Sequence, residues 1–177
     1  MARLWINFFH LPLALTGYFG LMMLLTRQGI TLAAFAMIWF LLWGVIEMTG
    51  IAVNLFSVNM EWRAGYENAN VATKEILKTR IEMFASLWHA AFFVLLIAFL
   101  LGSLFLGWAS WDSTGSQKML SCLLWLAVPL TLLIILANYA HQQWAGNITT
   151  YVYPVLQPLS RFMLGYVLWN NIKAARN

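Results

Sequence analysis

Apolar residues in this chain run on for many positions at a time and do not alternate with polar ones. The stretch Phe92, Phe93, Val94, Leu95, Leu96, Ile97 is one example. A half-buried strand would alternate with a period of two, so these runs read as helices. A helix crosses a hydrocarbon core ~30 Å thick in about 20 residues, and backbone groups in lipid must be satisfied within the segment. On that pattern, membrane helices are expected at about 4–25, 31–56, 81–108 and 119–139. A short turn, Thr26, Arg27, Gln28 and Gly29, separates the first two.

A last apolar segment, about 149–169, is interrupted by Pro154, Gln157, Pro158 and Arg161. Proline removes a backbone donor, and an arginine at mid-bilayer costs at least ~2.5 kcal/mol. This segment is expected to cross as a broken helix or to lie at the interface. The segment 57–80 carries the densest charge and is expected as a cytoplasmic loop. Leu77, Ile81, Phe84 and Trp88 nevertheless fall four, three and four apart, one apolar helical stripe. The third helix is therefore expected to begin early and protrude. The fold class these readings define is all-α: a polytopic membrane bundle of four spans and a fifth broken or interfacial helix, one domain over 1–177.

Composition agrees with a lipid-soluble chain. Of 177 residues, 62% are hydrophobic and 9% charged, which leaves little length for a separate soluble domain. The run after Arg3 is longer than a signal-peptide core and lacks an Ala-x-Ala site, so it is expected to remain as the first membrane helix. Lone Cys122 excludes an intramolecular disulfide and a cysteine metal cluster, and its apolar neighbours predict a buried, inert thiol. The net charge of +4 comes without a dense basic face, so no nucleic-acid partner is expected.

Charge placement orients the chain. With the N-terminus cytoplasmic, Arg3, Arg63, Lys74, Lys78 and Arg80 lie inside and Arg27 and Lys118 outside, as the positive-inside rule requires. Lys173 and Arg176 would follow them outside if the fifth segment spans. The sequon Asn147, Ile148, Thr149 then faces inward and is discounted.

In lipid the informative residues are the polar ones. The first helix carries Asn7 and His10, the second Glu47 and Asn54, the third Glu82, Ser86 and His89, and the fourth Asn138 and His141, each set on one helical face. His10 is expected roughly 9 Å along the first helix and His89 roughly 12 Å along the third. The second and fourth helices run back, so these groups collect in one leaflet. The candidate polar cavity is accordingly Glu47, His89, His141, His10, Asn54 and Asn138. Glu47 stands out, because a carboxyl near the midplane needs a partner or must be protonated. The alternative for each residue is a polar contact between helices, worth roughly 0.6 kcal/mol.

Specific chemistries fit less well. A b-type haem would need two histidines facing across the bundle, and His89 with His141 is the pair that would supply them. A metal site could draw on Glu82, His89 and His141, but no His-x-x-x-His or Glu-x-x-His spacing occurs. No nucleophile elbow, P-loop or dinucleotide fingerprint is present, nor is a mid-helix lysine for retinal. The ten tryptophans fall largely at expected helix ends, as in aromatic belts, with Trp39, Trp43, Trp88 and Trp125 deeper. The function expected is a non-catalytic membrane subunit or accessory protein of a secretion, transfer or respiratory assembly in a bacterial inner membrane. Its expected partners are lipids and other membrane proteins. The alternative is a haem-, quinone- or lipid-binding protein using the Glu/His cavity.

Overall fold

The computed structural model describes residues 1–176, apart from the side chains of 26–30 and 174–176. The side chains of the expected turn at 26–29, with Arg27, and that of Arg176 lie outside the described residues. The chain is 93% helical, with no strand among the described residues. Four helical segments are long and apolar enough to cross a membrane: Ala2–Leu25, Thr31–Glu67, Val71–Ala109 and Gly115–Tyr139. The protein is a multi-pass α-helical membrane bundle.

The first helix, α1 (Ala2–Ala52), is unbroken in its backbone pattern but is not one rod. A straight helix would hold Tyr18 and Phe40 about 33 Å apart, yet their rings stack with centroids at 4.0 Å. Trp5 meets Phe56 edge-on at 5.7 Å, and a Cβ on Gly44 would touch Leu15 at 2.6 Å. The chain thus doubles back between Leu25 and Thr31, giving an N-limb (2–25) and an antiparallel C-limb (31–52).

The C-limb runs directly into a π-helical segment, Val53–Trp62, and a short α2, Arg63–Glu67. A tight corner at 68–70 then leads into α3, Val71–Ala109. Asn70 caps α3, its side-chain oxygen accepting from the Thr73 amide at 2.9 Å. At 39 residues α3 is about 58 Å long, so roughly half of it exceeds the hydrocarbon thickness. The surplus lies at the N-terminal end of the bundle. There α2 and the first turns of α3 form a projecting helical hairpin, with the Lys74 ammonium 5.5 Å from the Tyr66 ring. The segment expected as a loop, 57–80, is therefore helical except at its corner, because the stripe from Leu77 to Trp88 faces α2, the π-helical segment and the C-limb.

Helix α4, Gly115–Tyr139, runs back along α3 and is tied to it at both ends. Ser121 donates to the Gly107 carbonyl at 2.7 Å, and Tyr139 to the His89 carbonyl at 2.6 Å. At the far end, the Lys118 ammonium donates to the Trp111 carbonyl and sits 3.6 Å from the Trp111 ring centre. Cys122 is exposed on α4 rather than buried. The expectation failed because a membrane helix is apolar on its lipid face too, so apolar neighbours do not mark an interior.

The last helix, α5 (Gln143–Arg176), is continuous through Pro154 and Pro158. Leu164 lies over Gly17 and Leu168 over Gly20, so α5 climbs beside the N-limb in the same direction, as a fifth rod. Thr149, Leu156 and Met163, seven apart, turn inward with Leu164 and Val167. That buried stripe holds the helix past its prolines where an isolated helix would break. At the centre of the bundle, Phe40 is fully buried between Tyr18, Trp43 and Phe99, which bring the N-limb, C-limb and α3 together.

Candidate functional site

Glu47 lies on the C-limb and Arg161 on α5, and the antiparallel limbs and parallel α5 carry both to the level of His10. Each is partly covered. Glu47 and Arg161 lie within electrostatic reach of each other and of the phenols of Tyr18 and Tyr153, with no direct ion pair between the two among the described residues. Arg161 also acts on His10, with which it lines a 340 Å³ groove between the N-limb and α5. The His10 Nε2 is buried there without a hydrogen-bond partner. This layer joins three rods: an acid from the C-limb, a base from α5 and an imidazole from the N-limb. A lone charge at this depth would be costly, and an opposite charge on a neighbouring rod lowers that cost.

A second polar place lies nearer the N-terminal end, between the π-helical segment and α3. The i to i+5 repeat brings Asn59 over Asn54, and its side-chain amide donates to the Asn54 carbonyl at 2.7 Å and to Asn54 Oδ1 at 2.6 Å. Arg63 then donates to Asn59 Oδ1 at 3.1 Å. The Trp88 ring rests on the bare backbone of Gly50, where a Cβ would lie 1.7 Å from it. Trp88 divides two grooves: one of 370 Å³ that includes Asn54, Arg63 and His89, and an apolar one of 300 Å³ along Thr49 and Val53.

The six residues expected to share one cavity thus fall in three places. Glu47 and His10 belong to the interior charged layer. Asn54 and His89 line the groove beside α3. Asn138 is exposed and satisfies itself, donating to the Ile134 carbonyl of its own helix at 2.8 Å. His141 is exposed at the α4–α5 corner with φ 54°, a backbone conformation that histidine tolerates better than most residues. The His89 ring packs on Tyr139 with centroids 4.6 Å apart. Among the described residues, no group of three or more His, Cys, Asp or Glu side chains could hold a metal ion, so Glu82, His89 and His141 do not form the site weighed above.

Sequence reasoning missed the nearness of Glu47 to Arg161, and the phenols within their electrostatic reach. The available signal was that both are costly alone and opposite in sign. What was lacking was the adjacency of α5 to the N-limb. The π-helical turn that sets Arg63 over Asn59 carried no sequence signal. Comparison with known proteins brings no match: no family model fits the chain, and no curated protein or solved structure corresponds to it.

Proposed function

We propose that this protein is a non-catalytic subunit or accessory protein of a larger membrane assembly, docked through its projecting hairpin. It sits in a bacterial inner membrane with its N-terminus cytoplasmic, in an assembly of the secretion, transfer or respiratory kind. The carrying observation is the outer face of α3. Ile76, Met83 and Leu87, seven and four apart, are 55%, 58% and 63% exposed on one helical face. Ile76 stands on the projecting part of the helix, among Lys74, Glu75, Lys78 and Arg80, beyond the hydrocarbon core. Apolar anchors within a charged rim are the usual make-up of a protein interface. The orientation draws support from the basic residues Arg3, Arg63, Lys74, Lys78 and Arg80 at that end.

The test is purification from the native membrane in mild detergent, for the wild type and for Ile76→Glu. The wild type should carry a stoichiometric companion that the variant loses, with helicity unchanged in both. A wild-type protein that elutes without a companion contradicts the reading, as does a companion that ignores the substitution.

A further inference from the structure

The groove beside α3 continues outward past Arg63 and Ile81 into a second hollow, also 370 Å³, lined by Tyr66, Glu67, Lys78 and Glu82. Together they form one trough. Its outer end lies in the projecting hairpin and carries two cations and two carboxylates. Its inner end is floored by the aromatic side chains of Phe84, Trp88 and Phe92. Among the described residues no ion pair joins Arg63, Lys78, Glu67 and Glu82 to one another. All four are exposed. Arg63 is nevertheless oriented, because Asn59 takes one of its donors and Asn54 fixes Asn59. The remaining guanidinium donors are left for an anion.

A cavity with a charged mouth and an aromatic floor fits an amphiphile, and the bilayer around the bundle supplies one. The mixed charge narrows the class. A purely anionic head would meet Glu67 and Glu82 as well as the cations, whereas a head with both signs could satisfy both pairs. We propose that the trough binds a phospholipid whose head carries a phosphate and a primary ammonium. The phosphate sits at Arg63 and Lys78, the ammonium at Glu67 and Glu82, and one acyl chain lies along Phe84, Trp88 and Phe92. A quaternary ammonium has no N–H to donate to the carboxylates, so it is the informative competitor. This site is independent of the subunit reading, since the trough's α3 residues are centred roughly 170° around the helix from Ile76, Met83 and Leu87.

The full-length protein, purified in detergent and given equimolar phosphatidylethanolamine, phosphatidylcholine and phosphatidylglycerol, is examined by native mass spectrometry. One phosphatidylethanolamine should be retained at least about three-fold over either competitor, the discrimination expected of exposed ion pairs. The variant Glu67→Gln/Glu82→Gln should lose the preference over phosphatidylcholine, and Arg63→Gln should reduce retention of all three. Equal retention of the three lipids by the wild type overturns the proposal. So does a preference for phosphatidylglycerol, or a preference that survives the double substitution. If a variant fails to fold, the wild-type order of retention decides alone.

Discussion

Replacing Arg161 with methionine keeps an unbranched apolar side chain against the N-limb and removes the charge that faces Glu47. Removing one member of a buried ion pair costs ~3–5 kcal/mol, because the other is left uncompensated. Neither residue here is fully buried, Arg161 borders an open groove and the two charges are not in direct contact, so the cost falls below that range, at about 2 kcal/mol. Glu47→Gln strands the guanidinium instead and should cost about the same. The double variant Glu47→Gln/Arg161→Met strands nothing. Two neutral groups can replace a buried pair at little or no net cost, so it should fall within about 1 kcal/mol of the wild type. The coupling energy is then about 3 kcal/mol, far beyond that of energetically independent sites. Reversible unfolding in bicelles, followed by the far-ultraviolet helical signal, measures all four proteins. If the double variant is destabilised by the sum of the two single effects, Glu47 and Arg161 do not act on each other and the interior layer is misassigned.

Gly50→Ala would drive a methyl group into the Trp88 ring, so Trp88 must swing into a neighbouring groove. Overpacking of this kind costs about 1–3 kcal/mol, read as a shift in tryptophan emission with lowered unfolding stability. Asn70→Ala removes the cap of α3 and should cost about 1 kcal/mol. Hydrogen exchange should show it as faster exchange at amides 71–74 alone, while unchanged exchange there would deny the cap. His141→Gly should stabilise the protein by up to about 1 kcal/mol, since glycine adopts the positive φ without strain. A loss of stability would mean that the imidazole makes a contact the corner needs.

Much of this architecture was legible in the sequence for one reason. In lipid, backbone satisfaction leaves helices as the only choice for long apolar runs, so their number and length follow from counting. The early start of α3 was legible too, from the spacing of Leu77, Ile81, Phe84 and Trp88. Depth along each helix can also be counted, which is how Glu47 and His10 were placed in one leaflet. Rotation about the helix axis and the identity of the neighbour cannot. On a membrane helix both faces are apolar, so nothing in the local pattern says that Cys122 faces out or that Asn138 bonds its own helix. Arg161 and Glu47 were each conspicuous, but their meeting depends on Leu164 and Leu168 seating on Gly17 and Gly20, a contact nearly 150 positions apart in the chain. The two prolines of α5 were read as a break because an isolated helix would break there. Packing from Thr149 to Val167 carries the helix through them.

The interior layer rests on α5 running parallel to the N-limb, with Leu164 and Leu168 seated on Gly17 and Gly20. Paired cysteines test it directly, in a Cys122→Ala background and with a short bifunctional thiol reagent in membranes. Gly20→Cys with Leu168→Cys should cross-link efficiently, and Gly20→Cys with Tyr153→Cys should not. Cross-linking of the second pair in place of the first would set α5 running the other way and remove the seating of Leu164 and Leu168 on Gly17 and Gly20 that fixes the interior layer.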